Sequence, residues 1–255
     1  MPEVTTRFLP SFDGTSLALH ECGAGRPVLL LHGLYSSARM NWIRFGHAER
    51  LAAAGYRAIM PDQRGHAQSE APHDPAKWPD GVLVRDALAL VEGLGLDDYD
   101  LAGFSLGART ALGAVVAGLA PRRLVLAGMG LESLANWDDR MVFFLDAIDR
   151  FDTIGPGDPA SFVVAFMKTM KIDRTAARLL LQSKFAIERA DLARVTMPTL
   201  VLCGEEDRDN GSPHALAEAL PNARLKLVPG NHMASVTKPE LGEALVDFLS
   251  EKAAR

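Results

Sequence analysis

The stretch Gly103–Gly107, which reads Gly-Phe-Ser-Leu-Gly, constrains the fold of this chain more than any other. It ends an apolar run that begins at Tyr99, and a helical pattern follows from Leu106. These features predict a buried strand, a sharp turn at Ser105 and a helix that starts at once. Glycine flanks the serine because a Cβ would collide in so tight a bend.

Ser105 would then lie at the carboxyl edge of a sheet, in front of a helix N-terminus. The free N–H groups and the dipole of such a terminus favour negative charge, as an acyl-transfer nucleophile requires. The plain alternative is a glycine-rich turn in which Ser105 only caps the helix. A nucleophile differs from a cap because it also needs a base and an acid at neighbouring strand ends.

Composition limits the classes of protein that this chain can belong to. Its 255 residues are 48% hydrophobic and 23% charged, which indicates one globular α/β domain that carries an insertion. The net charge is −5 and basic residues do not cluster, so we expect no nucleic-acid partner. Apolar runs are too short to span a bilayer, and the N-terminus does not resemble a signal peptide. We therefore expect a cytoplasmic protein without a membrane partner, and the sequence does not indicate its oligomeric state.

Apolar runs and helical patterns alternate along most of the chain. Strands are predicted at residues 4–9, 16–21, 27–31, 56–60, 99–104, 123–127, 199–203 and 224–228. Helices are predicted between them, at residues 45–54, 80–93, 106–119, 213–220 and 238–252. The first two strands flank Asp13-Gly14, a hairpin signal, and the later ones recur at βαβ intervals. The pattern predicts a mostly parallel, doubly wound sheet with helices on both faces.

The alternation stops after Gly130, and helical periodicity without a strand continues to Arg194. We interpret residues 131–194 as a helical cap inserted into a core formed by residues 1–130 and 195–255. The apolar side chains of the cap exceed what packing requires, so some of them would line an apolar substrate pocket, although an all-core role is equally open. The residues expected in that pocket are His32, Tyr35, Phe104, Trp137, Phe143, Phe144 and Met233.

Three polar residues follow predicted strand ends in the order nucleophile, acid and base: Ser105, Asp207 and His232. A serine hydroxyl needs a neutral imidazole to accept its proton, and the imidazole needs a carboxylate to fix its tautomer. Open α/β sheets place their sites at the carboxyl ends of the strands, so we predict that the three converge. Asp209 is the alternative acid. The backbone N–H of Leu34, which follows the third strand, is a candidate donor to an oxyanion.

The loop Asp62–Ser69 also carries charged residues and a histidine, but it lacks the ligand spacing of a metal site, and we expect it to be structural. We expect neither a metal nor a cofactor in this protein.

Together these motifs resemble the α/β-hydrolase superfamily, in its esterase- and lipase-like branch with a helical cap. The matching segments are Leu-Leu-Leu-His32-Gly33, Asp62-Gln-Arg-Gly-His-Ala-Gln-Ser69, Gly103-Phe-Ser-Leu-Gly107, Gly204-Glu-Glu-Asp207 and Gly230-Asn-His232. The resemblance implies an α/β-hydrolase fold, a catalytic triad of Ser105, Asp207 and His232, and an oxyanion hole formed by the N–H groups of Leu34 and Leu106. One departure is Ala67, where members of the family often have glycine.

Ser105, in the sharp turn between strand and helix, differs from the carboxylate nucleophile of the relatives that resemble haloalkane dehalogenases and epoxide hydrolases. It favours an acyl-enzyme route on a small to medium apolar carboxylic ester or lactone. Two alternatives use the same three residues: hydrolysis of a C–C bond beside a ketone, and perhydrolysis. A third alternative, of another class, is a non-catalytic receptor for a small molecule.

Overall fold

An eight-stranded sheet forms the centre of the computed structural model, which describes residues 3–134 and 137–251. The strands are β1 (Thr5–Pro10), β2 (Ser16–Gly23), β3 (Arg26–Leu31), β4 (Tyr56–Pro61), β5 (Asp100–Phe104), β6 (Leu124–Ala127), β7 (Thr199–Gly204) and β8 (Ala223–Val228). They lie in the order β1-β2-β4-β3-β5-β6-β7-β8. The pairs from β4 to β8 are parallel, whereas β2 is antiparallel to both β1 and β4. The predicted α/β architecture with a mostly parallel sheet is confirmed.

Helices follow most of the strands. They are α1 (His47–Ala53), α2 (Val82–Gly93), α3 (Leu106–Val116), α4 (Trp137–Asp149), α5 (Ser161–Thr169), α6 (Arg174–Gln182), α7 (Pro213–Ala219), α8 (His232–Ser235) and α9 (Pro239–Ser250). A π-helical turn (Arg39–Ile43) precedes α1, and the sequence did not predict it or α8. The predicted end of the last helix, Lys252, lies outside the described residues. No helix in the described ranges is both long and apolar enough to cross a membrane.

The two faces of the sheet bury separate sets of side chains, because successive residues of a strand point to opposite sides. On β3, Leu29 and Leu31 pack with α2 and α3, while Val28 and Leu30 pack with α1 and α9. Small residues such as Ala108 on α3 permit close contact between that helix and the sheet. The central strands are therefore buried on both faces and hold their carboxyl ends in fixed positions.

Helices α4, α5 and α6 lie in the chain between β6 and β7, where the sequence predicts the cap. Their apolar side chains pack on one another, and Tyr35, from the loop after β3, joins the same cluster beside Ile148, Met167 and Leu181. The insertion thus contacts the edge of the sheet where the strands end. The division into a core and a cap stays a prediction.

Arg64 anchors the loop between β4 and α2 from inside the protein. Its side chain is fully buried and forms ion pairs of 2.7 Å with Asp13, in the β1–β2 turn, and with Asp86, on α2. The guanidinium also donates to the backbone oxygen of Lys77 over 2.5 Å. These contacts agree with the structural role expected for this loop, because they join three segments that are distant in sequence.

Replacing Arg64 with methionine is expected to lower the free energy of unfolding by about 3–5 kcal/mol, because the carboxylate of Asp86 would stay buried without its partner. Chemical denaturation at neutral pH measures this change. The matched control is Arg7→Met, which removes an exposed ion pair with Glu21 and should cost less than about 1 kcal/mol. Equal losses in the two variants would contradict the anchoring role.

Candidate active site

Ser105 occupies a strained turn between β5 and α3. Its backbone has φ +54° and ψ −115°, a conformation that residues other than glycine seldom adopt. A Cβ on Gly103 would lie 2.1 Å from the oxygen of Gly107, and a Cβ on Gly107 would lie 2.1 Å from the oxygen of Leu31. The structure therefore confirms why glycine stands on both sides of the serine.

The structure brings Ser105, His232 and Asp207 into one line of hydrogen bonds. The hydroxyl oxygen of Ser105 lies 3.0 Å from Nε2 of His232, and Nδ1 of His232 lies 2.7 Å from Oδ2 of Asp207. Ser105 follows β5, Asp207 follows β7, and His232 begins α8 after β8. With the proton on Nδ1 donated to the carboxylate, Nε2 is free to accept the proton of the serine hydroxyl.

Asp207, and not Asp209, contacts the imidazole. The carboxylate of Asp207 is buried and accepts a 3.0 Å hydrogen bond from the backbone N–H of Asp209, whose own side chain is exposed. Burial by itself would raise the pKa of Asp207, but the hydrogen bond from His232 and the charge of the imidazole outweigh it and hold the pKa below its usual value. Asp207 is therefore ionised when it faces the histidine.

The side chains of Asp207, Asp209 and His232 place ligand atoms within 4.8 Å of one another, a spacing that a metal ion can use. Such an ion would compete with the relay, because the imidazole nitrogen nearest to the carboxylates already bonds to Asp207. The arrangement is better explained by proton transfer than by metal binding.

Two contacts that the sequence does not reveal hold His232 in place. The ring of Phe104 packs against the imidazole with the ring centres 5.0 Å apart. The side-chain nitrogen of Asn210 donates to the backbone oxygen of Gly128 over 2.8 Å and lies 3.5 Å from Nδ1 of His232. Both neighbours come from other strand ends, so only the folded chain brings them together.

The first residue of α3 supplies one free N–H beside Ser105. Ser105 donates its own N–H to the backbone oxygen of Ala127 over 2.8 Å. The N–H of Leu106 has no acceptor among the described residues, as expected for the first turn of a helix. This N–H is therefore available to an acceptor bound next to Ser105.

A second free N–H, that of Leu34, comes from the loop after β3. On one side of it Gly33 donates its N–H to Oδ1 of Asn41 over 3.0 Å, and on the other Tyr35 donates its N–H to Nε2 of His66 over 3.1 Å. The N–H of Leu34 itself has no acceptor within the described chain. Both of its neighbours are thus fixed, which holds the free N–H in a constant direction. Sequence reasoning missed the parts played by Asn41 and His66.

His66 can hold this loop only as a neutral imidazole. It is buried, its Nδ1 donates to the backbone oxygen of Arg64 over 3.0 Å, and its Nε2 accepts from Tyr35. A second proton would occupy Nε2 and remove the acceptor. Burial and the nearby His32 lower the pKa of His66 to about 3.

This shift predicts a loss of stability in acid. The unfolded chain binds a proton at His66 near pH 6.5, whereas the folded chain binds it only near pH 3. The contribution of the neutral imidazole to the free energy of unfolding is therefore complete above pH 6.5 and is lost as the pH falls toward 3. Between pH 7.5 and pH 5 the loss should be about 2 kcal/mol. Denaturation of wild type and His66→Gln at both pH values measures it. The variant should lack this part of the pH dependence, whereas His214→Gln, at an exposed position, should retain it.

An apolar cavity of about 270 Å³ opens above Ser105, between the sheet edge and the inserted helices. Of the residues predicted for the pocket, the structure places in its lining Tyr35, Phe104, Trp137, Phe144 and Met233. Further apolar lining comes from Leu34, Met40, Met129, Phe162, Val163 and Phe166. The cavity lies near the lower end of the size range for ligand pockets, about 300 Å³, and therefore suits a small substrate.

Two of the pocket predictions are wrong. His32 is fully buried behind the cavity, where Nδ1 donates to the oxygen of Gly33 over 2.8 Å and Nε2 accepts from the N–H of Gln63 over 2.9 Å. Phe143 lies outside the lining and is partly exposed, because neighbouring helical positions point in directions about 100° apart and its neighbour Phe144 takes the inward one.

Two arginines also line this cavity, Arg109 and Arg140. Arg109, one turn after the nucleophile on α3, donates to the backbone oxygens of Ser133 over 2.8 Å and Phe185 over 3.0 Å. Its guanidinium lies 5.0 Å from the ring centre of Trp137. These contacts connect α3 with the residues that precede α4 and with those that follow α6.

Comparison with known proteins agrees with this geometry. Residues 28–242 match the sequence profile of the alpha/beta hydrolase family, and the chain belongs to that family. Its fold and site thereby support hydrolase chemistry, and the resemblance noted from the motifs is confirmed.

Individual relatives differ in their reactions. An epoxide hydrolase from Caballeronia sordidicola is 36% identical, but the match spans 41% of this chain and only 31% of that enzyme. A 2-hydroxymuconate semialdehyde hydrolase from Pseudomonas putida is 29% identical over 98% of this chain and 95% of its own. The crystal structure of a hydrolase from Pseudomonas aeruginosa PA01 covers 97% of this chain and 99% of its own, with a TM-score of 0.75 and 26% identity.

Proposed function

We propose that this protein is a serine hydrolase that cleaves a small apolar carboxylic ester or lactone through an acyl-enzyme on Ser105. The observation that carries the proposal is the line of hydrogen bonds from Ser105 through His232 to Asp207. A neutral imidazole between a hydroxyl and an ionised carboxylate is the arrangement that makes serine nucleophilic at neutral pH.

In this reaction His232 takes the proton of Ser105 as its oxygen attacks the carbonyl carbon. The negative charge that forms on the carbonyl oxygen is held by the N–H groups of Leu34 and Leu106, each such donor contributing about 3 kcal/mol to the transition state. His232 then protonates the leaving alcohol, and the acyl group stays on the serine. A water molecule, activated by the same imidazole, releases the acid and restores the hydroxyl.

The chemistry of serine argues against an epoxide as substrate. A carboxylate that opens an epoxide forms an ester, which water can hydrolyse, but a serine alkoxide would form an ether. The relay of Ser105 and His232 has no means of hydrolysing an ether, so the enzyme would be inactivated after one turnover. The partial similarity to an epoxide hydrolase therefore supports the shared fold and not that reaction.

A second candidate is hydrolysis of a C–C bond beside a ketone. It is favoured by the similarity, along nearly the full length of both chains, to a 2-hydroxymuconate semialdehyde hydrolase, whose named substrate contains no ester. The same three residues and the same two N–H groups would serve this reaction, with a carbanion equivalent as the leaving group. Assaying the purified protein with esters, lactones and diketones separates the two candidates.

Loss of the nucleophile should abolish the reaction. Ser105→Ala is expected to lower the kcat for p-nitrophenyl butyrate by about 10⁴-fold or more, because the relay then has no group to attack the carbonyl. A fluorophosphonate probe should label the wild type at one serine and leave this variant unlabelled. Ser36→Ala removes another hydroxyl from the same cavity and should still be labelled. Labelling that persists in Ser105→Ala would disprove the proposal.

The two acids can be separated in the same assay. Asp207→Asn should lower kcat by about 10⁴-fold, because an amide neither fixes the tautomer of His232 nor stabilises its charged form. Asp209→Asn should have a much smaller effect, since only its backbone N–H contacts Asp207. A larger loss in Asp209→Asn would identify it as the acid in place of Asp207.

A further inference from the structure

Arg140 places a cation in the wall of a cavity that is otherwise mainly apolar. It lies on the first turns of α4 and lines the same space as Ser105 and His232. The side chain is half-buried, and its guanidinium lies 5.8 Å from the ring centre of Phe144. Burying a cation costs free energy unless a partner compensates it, so the position needs an explanation.

The protein satisfies only part of this guanidinium. One terminal nitrogen, Nη1, donates to the backbone oxygen of Asp209. Within the described chain, Nε and Nη2 have no acceptor and the side chain forms no ion pair. Arg109 differs, because both of its terminal nitrogens bond to backbone oxygens. Arg140 therefore keeps unused donors at the cavity wall.

Two carboxylates influence Arg140 without binding it. Burial lowers the pKa of the guanidinium, and the charges of Asp209 and Asp207 offset only part of that effect. Asp207 already accepts hydrogen bonds from His232 and from the N–H of Asp209, and the side chain of Asp209 is exposed. Asp209 lines the same cavity, but within the described residues its carboxylate forms no ion pair with Arg140, so neither acid satisfies the remaining donors of the guanidinium.

We propose that Arg140 binds a carboxylate of the substrate, so that the natural substrate is an ester or lactone with a carboxylate remote from the bond that is cleaved. The inference rests on the proposed hydrolysis at Ser105 and narrows its substrate class. A planar guanidinium with unused N–H groups matches a carboxylate, and the apolar wall around it strengthens the attraction. The apolar lining would hold the carbon chain between the two polar ends.

The test compares two substrates that differ in charge and by a single methyl group. They are p-nitrophenyl hydrogen glutarate, which carries a free carboxylate, and its methyl ester, in which that carboxylate is blocked. The value of kcat/KM is measured for each, with the wild type, Arg140→Gln and Arg140→Lys. The control variant, Arg174→Gln, removes the same charge from another inserted helix, at an exposed position paired with Asp152.

The wild type is expected to prefer the anionic substrate, and Arg140→Gln should lower the ratio of the two kcat/KM values by about ten- to a hundredfold, mainly through KM. Arg140→Lys should recover part of the ratio, because it keeps the charge and loses the planar fork. Arg174→Gln should leave the ratio unchanged.

Different results identify different errors. If Arg140→Gln lowers kcat for both substrates equally, the residue only clamps the loop of Asp209 and the inference is overturned. An unchanged ratio overturns it as well, while the proposed hydrolysis stands. If the wild type cleaves neither ester and resists the fluorophosphonate, the proposed function itself fails, and the inference fails with it.

Discussion

The close approach of the backbone to itself around Ser105 is the constraint on which the rest of the site depends. The chain can turn from β5 into α3 within a single residue because Gly103 and Gly107 lack the Cβ that would collide with the backbone there. That turn forces Ser105 to a positive φ and directs its hydroxyl away from the sheet, toward His232. A wider turn would move the hydroxyl from the imidazole and would also displace the free N–H of Leu106.

The other side of the site is a turn at residues 33–36, closed by a hydrogen bond from the N–H of Ser36 to the oxygen of Gly33, and buried hydrogen bonds from other segments hold it in place. Leu34 lies in a loop whose neighbouring N–H groups bond to Asn41 and His66, and His66 in turn bonds to the backbone of Arg64. Because Arg64 is fixed by the buried carboxylate of Asp86 and the half-buried carboxylate of Asp13, the direction of the Leu34 N–H depends on an ion-pair network on the other side of the loop. The free-energy cost of orienting this N–H arises when the protein folds, so it does not have to be met again when a ligand binds.

Local sequence predicts the parts of this structure that depend on local geometry. The glycines beside Ser105, the alternation of strands and helices, and the placing of Asp207 and His232 after strand ends all depend on short segments, and the sequence shows them. Asn41 and His66 act on a loop that is distant in the sequence, and no periodic pattern marks such a contact. His32 and Phe143 are misplaced for a related reason, since neither a loop nor two adjacent phenylalanines within a helix reveal from sequence alone which neighbour faces inward.

Arg109 connects α3, the helix that begins next to Ser105, with the residues before α4 and after α6, through the backbone oxygens of Ser133 and Phe185. Moving helices α4–α6 away from the sheet as one body would break both hydrogen bonds, and the loss of two acceptors by a charged donor is costly. Rotation of aromatic side chains at the rim, such as the exposed Phe162, requires no such loss. We therefore expect the backbone of helices α4–α6 to stay in place during ligand entry. Small molecules would then reach the cavity when side chains on α4 and α5 rotate.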